Sequence, residues 1–278
     1  MAVDTPPPTA PSRRPAPPLD RFIERLWTSE RHSAAPHARE WNLPTGCADL
    51  VVPLTQGALR RFAGRDDARG HWLAGGVLQG AQQHATLRDT GGALAVVGAH
   101  FRPGGLTAFV DAPADEFTGR SMALDTLWPG FTAALQDRLV RGGTLATPAA
   151  RLDALEAALR AHLRPEADLE RWLGWAVRRL AAGARVGDVQ RDIGLSPARF
   201  IDRYRATVGL APKVHAALLR FNGLLHAADP GTPWAEAASD AGYADQAHLA
   251  REFRRFAGFT PGDYRRGATH FPSHVACR

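Results

Sequence analysis

The chain has 278 residues, of which 45% are hydrophobic and 22% charged, with a formal net charge of +6. That length allows two domains that each bury a core, and the composition excludes a disordered or fibrous chain. Two distant cysteines, Cys47 and Cys277, imply no disulfide framework or cysteine-based zinc site; no apolar run is long enough for a bilayer, so the expected location is cytoplasmic, with no membrane partner.

Residues 1–18 hold seven prolines and almost no large apolar side chains, which predicts a disordered or extended arm. Over 19–130 the texture is short apolar runs punctuated by glycine. Cys47–Leu54, His84–Arg88 and Gly92–Phe101 read as strands, with turns at Pro44-Thr45-Gly46, Asp89-Thr90-Gly91-Gly92 and Arg102-Pro103-Gly104-Gly105. This predicts a mainly β domain. His71, His84 and His100 are too widely separated to suggest a metal site, and Cys47 reads as a structural cysteine. Arg102 reads equally well as an anion-binding residue or as part of a strand-end turn. No nucleophile elbow, phosphate loop or dinucleotide fingerprint is present, so no catalytic residue, metal or cofactor is assigned.

From Phe131 the pattern becomes helical. Residues 131–165 are expected to form a helical linker in which Leu152, Leu155, Leu159 and Leu163 make one apolar stripe. Residues 166–267 follow as an all-α domain, beginning with the stripe of Leu169, Trp172, Leu173, Ala176, Val177 and Leu180 and a C-cap at Gly183. Residues 268–278 are expected to be a tail. The fold class is therefore α+β: a mainly β N-terminal domain, then an all-α one.

The all-α region contains a repeat. Leu195–Pro212 (LSPARFIDRYRATVGLAP) and Ala244–Pro261 (ADQAHLAREFRRFAGFTP) lie 49 residues apart, matching Phe200 with Leu249, Tyr204 with Phe253, Arg205 with Arg254, Gly209 with Gly258 and Pro212 with Pro261. Ser196 and Asp245 are N-cap residues, because their side-chain oxygens can accept from free first-turn amides. Gly209 and Gly258 can close the helices in the left-handed conformation. A shorter amphipathic stretch precedes each cap, ending at Gly194 and at Gly242. Helix, glycine turn and capped second helix make the helix-turn-helix layout, present twice.

These residues resemble the DNA-binding domain of the AraC/XylS family of transcriptional regulators. The second unit carries most of the likeness: Gly242-Tyr243, Asp245-Gln246-Ala247-His248-Leu249, Arg251-Glu252-Phe253-Arg254-Arg255-Phe256, Gly258 and Thr260-Pro261. The resemblance implies seven helices, with one from about Ala211 to Ala227 bridging the units. It implies double-stranded DNA as partner. It also implies control by a small-molecule effector or by homodimerisation, and RNA polymerase as a partner of an activator. Trp41–Leu50 and Gly98–Gly105 resemble an uncharacterised N-terminal domain of such regulators.

The second helix of such a unit lies in the major groove. The expected base-facing residues are Ala198, Ile201 and Asp202 in the first unit and Gln246, Ala247, His248 and Arg251 in the second. Arg199, Arg203, Arg205, Arg254 and Arg255 are expected at phosphates. Glutamine and arginine pair bidentately with adenine and guanine, whereas alanine and isoleucine offer only apolar contact. The second unit is therefore expected to supply most of the base reading. Residues 184–267 carry twelve Lys/Arg against nine Asp/Glu, so the expectation rests on the repeat rather than on charge.

Overall fold

Alternating apolar and polar residues build two antiparallel sheets in the N-terminal half. The computed structural model describes residues 11–31, 37–54, 58–92, 95–141, 144–227, 231–269 and 271–277. The strands are β1 (Ser12–Arg13), β2 (Ile23–Glu30), β3 (Arg39–Asn42), β4 (Asp49–Pro53), β5 (Leu59–Phe62), β6 (His71–Leu73), β7 (Val77–Gln79), β8 (Thr86–Asp89), β9 (Ala95–Phe101), β10 (Ser121–Ala123), β11 (Val140–Arg141), β12 (Thr144–Leu145) and β13 (His274–Ala276). The first sheet has the order β1-β2-β9-β4-β7-β10 and the second β13-β3-β8-β5-β6; β11 and β12 form a separate hairpin.

Strand period sorts the two faces of the first sheet. Leu50, Val52, Leu78, Val97, Ala99 and Phe101 point into one core, where α1 (Phe131–Leu139) and α2 (Pro148–His162) cover them. The opposite face carries the polar residues Asp49, Gln79 and His100, aligned by the register Asp49↔Gln79 and Asp49↔His100. In the second sheet, Glu40, Arg88 and Arg61 lie abreast, and Asn42 pairs with Thr86.

Seven helices follow among the described residues: α3 (Arg171–Ala181), α4 (Val186–Ile193), α5 (Pro197–Val208), α6 (Pro212–Ala227), α7 (Trp234–Asp240), α8 (Gln246–Ala257) and α9 (Pro261–Gly267). Their core is built from Leu173, Val189, Phe200, Tyr204, Leu218, Phe221, Leu249, Phe253 and Phe256, joined by Leu43, Ala81 and Val275 from the sheet region.

Three boundary expectations change. Residues 1–10 lie outside the described residues, but 11–18 are not a loose arm: Ser12 and Arg13 pair with Trp27 and Leu26, and Arg13 bonds Asp153 and Glu156 of α2. Backbone ladder bonds and ion pairs hold a segment that buries little. Residues 131–165 are not a linker, because Phe131, Leu135, Leu139, Leu152, Leu155 and Leu159 complete the first core. Buried Arg151 adds an ion pair to Glu30 of β2 at 2.6 Å. Nor is 268–278 only a tail. β13 runs antiparallel to β3 with Val275 opposite Trp41, and Val275 is buried.

Candidate nucleic-acid interface

Each unit is assembled by local chemistry. In the first, α4 ends at Gly194 in the left-handed region (φ 76°), which a residue with a Cβ adopts only with strain. Ser196 Oγ then accepts the Arg199 N–H at 3.4 Å, with Pro197 starting α5, and Gly209 closes it at φ 91°. In the second, Gly242 makes the turn at φ 74°, Asp245 Oδ1 accepts the His248 N–H at 2.5 Å, and Gly258 closes α8 at φ 79°. Thr260 and Asp263 form a reciprocal capping box that starts α9.

The spacer α6 is locked to both second helices by buried polar contacts that the sequence pattern does not single out. Tyr204 of α5 and His215 Nδ1 of α6 hydrogen bond at 2.6 Å, and both residues are fully buried. Burial lowers the His215 pKa to about 4, so this imidazole is neutral at ordinary pH. Arg220 of α6 pairs with buried Glu252 of α8 at 2.9 Å, and its guanidinium stacks 4.7 Å from the Tyr243 ring centre. Glu252 sits on the inward stripe of α8, and a carboxylate at an apolar position is the one sequence signal that could have marked this pair.

With Phe200, Tyr204, Leu249 and Phe253 turned inward, the expected DNA faces are open. Ala198, Arg199, Asp202 and Arg205 are exposed, and Ile201 keeps 41% of its surface. Gln246, Ala247, Arg251, Arg254 and Arg255 are exposed on α8. Three residues are more engaged than a helical wheel suggests. Arg203 is half-buried and ion-paired with Glu170, ahead of α3. Half-buried His248 packs edge-on to Tyr243 at 5.3 Å, and its Nδ1 accepts the Ala244 N–H. Arg205 pairs at 3.4 Å with Asp115, in the turn Ala114–Phe117 of the N-terminal domain.

That domain grips the C-terminal end of both second helices. Thr118 Oγ1 donates to Gly209 O at 2.6 Å below α5. Ala85 N–H donates to Phe256 O at 2.7 Å, and His84 Nδ1 lies 2.8 Å from Arg255 O, at the end of α8. Asn222 of α6 donates to Pro44 O at 3.1 Å. His84 is thus a link between domains, His71 is exposed, and His100 Nδ1 bonds Asp49 at 2.7 Å. Among the described residues no group of three or more His, Cys, Asp and Glu side chains could hold a metal ion. Burial opposes charge on His100, but Asp49 and then the Cys47 sulfur raise its pKa well above the ordinary value. Cys47 is half-buried rather than sealed in the core. Arg102 Nε donates to Asp20 O at 3.0 Å, which ties down the strand-end turn. Both line a crevice between the domains of about 10 Å³, room for no more than a water.

Two family models match the chain. A helix-turn-helix domain covers residues 189–267, and a domain of unknown function, DUF6597, covers 12–123. No curated protein sequence matches. Solved structures similar to this one include those of ToxT from Vibrio cholerae. An apo point variant of ToxT from strain SCE256 is 10% identical, with 90% of this chain and 98% of that one covered and a TM-score of 0.45. A ToxT structure at 1.65 Å is 7% identical, covering 87% and 96%, with a TM-score of 0.44. Unsaturated fatty acid-bound wild-type ToxT from strain SCE256 is 9% identical, covering 86% and 93%, with a TM-score of 0.43. No helix among the described residues is long and apolar enough to cross a membrane. The paired, capped units and the matching domain make this chain a DNA-binding transcriptional regulator with an AraC-type helix-turn-helix domain, preceded by the domain of unknown function DUF6597.

Proposed function

We propose that the protein reads two adjacent major-groove segments, α5 and α8 each entering one, under the control of its N-terminal domain. The observation that carries this reading is the pair of capped helices with open, equivalently placed faces, each tied at its far end to the N-terminal domain. The 49-residue offset sets Asp202 against Arg251, and Arg205 against Arg254. Arg251 and Gln246 offer bidentate pairing with guanine and adenine, whereas Ile201 and Ala198 offer contact to a thymine methyl. The second unit therefore carries most of the sequence reading and the first mainly positions the protein, with Arg199, Arg254 and Arg255 at phosphates and Arg203 and Arg205, each held by an ion pair, less free to join them. Control comes from an effector or from self-association of the N-terminal domain, and an activator of this design would also meet RNA polymerase.

Selection of bound sites from a random DNA library tests the model. Two conserved blocks about one helical turn apart are expected, and enrichment of a single block overturns it. Against the selected site, Arg251→Ala should lose roughly 5- to 150-fold of discrimination, corresponding to about 1–3 kcal/mol. A larger specificity loss in Asp202→Ala reverses the assignment of the two units.

A further inference from the structure

Between the two sheets lies a layer of polar side chains with one unusual member. Arg61, on β5, is only 8% exposed, and its guanidinium crosses to the first sheet, where Nη2 donates to Gln79 Oε1 at 3.1 Å. Its Nε and Nη1 are buried without any hydrogen-bond partner. A buried guanidinium normally meets a carboxylate, because an unpaired buried charge is costly. Here the nearby carboxylates are already taken. Asp49 is bonded by His100 at 2.7 Å, and Glu40 receives Arg88 at 2.5 Å and His274 at 2.9 Å. Among the described residues, Arg61 has no carboxylate within ion-pair distance, and its neighbour across the ladder is a second cation, Arg88. Burial first, and then Arg88, depress the Arg61 pKa to about 10, still high enough to keep it charged at neutral pH. Two more buried polar atoms on the same face of the second sheet lack partners, Asn42 Oδ1 and Thr86 Oγ1. The layer thus holds free donors on Arg61 and Thr86, one free acceptor in Asn42 Oδ1, and a surplus positive charge with little else to neutralise it.

We propose that this layer is an effector site for a small oxyanion, a short carboxylate or a phosphate group, seated on Arg61 with Thr86 and Arg88 alongside. The proposal rests on reading the chain as a regulator controlled through its N-terminal domain, and it names the chemical class of the effector. The placement supplies a route outward. Thr86 opens β8, and the residues just before it, His84 and Ala85, hold the carbonyls at the end of α8. Glu40, which Arg88 bonds, is also bonded by His274 of β13, directly after the DNA-binding helices. An anion that fixes β8 therefore fixes the His84 and Ala85 contacts that hold the end of α8, the base-reading helix.

The test uses the full chain. Thermal unfolding and titration calorimetry are run with inorganic phosphate, acetate, succinate and benzoate, against sodium chloride at matched ionic strength. At least one oxyanion should raise the Tm of the wild type beyond chloride and bind in the calorimeter. Arg61→Met should weaken that binding about thirtyfold or more, the scale of truncating a buried charged partner. Gln79→Glu places an internal carboxylate against the guanidinium, so it should raise the Tm without ligand and abolish the response to anions. If Arg61→Met does not fold, Gln79→Glu decides alone. No oxyanion-specific shift in the wild type, or variants that respond as the wild type does, overturns the site. DNA binding without an anion response refutes the site and spares the regulator; an anion response in a chain that selects no DNA does the reverse.

Discussion

The bond between Tyr204 and His215 gives the DNA-binding domain a calculable sensitivity to acid. The imidazole is buried and neutral, with a pKa of about 4 against an ordinary 6.5. An unfolded chain takes up this proton as pH falls through about 6.5, and the native chain only near 4, so stability present above pH 6.5 is lost progressively between those values. Between pH 7 and pH 5 the loss from this one group is about 2 kcal/mol. In urea, with a slope of roughly 2–3 kcal/mol per molar, the unfolding midpoint should fall by about 0.7–1 M. Other groups titrate in the same range, and the double variant Tyr204→Phe/His215→Leu isolates this pair. Removing both partners leaves neither unsatisfied, so at pH 7 it should lie within about 1 kcal/mol of the wild type. At pH 5 its midpoint, followed by helical circular dichroism, should have fallen less than that of the wild type by the amount above. Tyr204→Phe alone strands His215 Nδ1 beside an Nε2 that already lacks a partner, at a cost of about 1–3 kcal/mol. If the double variant keeps the full acid dependence of the wild type, the assignment to His215 is wrong.

Two further outcomes can be checked in the same assay. Asp245→Ala removes the cap of α8 and should cost about 1 kcal/mol, with Ser196→Ala a comparable test at α5. Deleting residues 268–278 removes β13 and the buried Val275 side chain, for which a loss of about 2 kcal/mol or more is expected. That deletion also bares the edge of β3, so light scattering should report self-association; a shortened chain as stable and monodisperse as the full one would show that β13 is dispensable.

The DNA-binding half was legible because its information is local. The caps Ser196 and Asp245, the left-handed glycines Gly194, Gly209, Gly242 and Gly258, and the inward stripes each act within a few residues, and the structure places them as read. Strands β4 and β9 lie inside the apolar runs Cys47–Leu54 and Gly92–Phe101 for the same reason. What escaped is long-range. Ser12–Arg13 carries no apolar period, and only its pairing with β2 makes it a strand. The helices over 131–165 showed their stripes but not the sheet they cover. Arg60 and Arg61 look alike in sequence, yet Arg60 stacks on Phe62 and the exposed Trp72 while Arg61 is buried between sheets. At the interface, the engagement of Arg203 with Glu170 and of His248 with Tyr243 depends on neighbours that a single helix cannot reveal.

The strand from His274 to Ala276 makes the N-terminal domain discontinuous along the chain. Its second sheet waits for an edge strand that is encoded after every DNA-binding helix. At a synthesis rate of roughly 5–20 residues per second, β3 stands unpaired on that side for on the order of ten to forty seconds after β8 has emerged. Contacts so distant in sequence also form slowly. The second sheet is therefore completed only after the last DNA-binding helix has been made. A product lost before its final strand exposes an unpaired edge, a ready mark for aggregation or degradation.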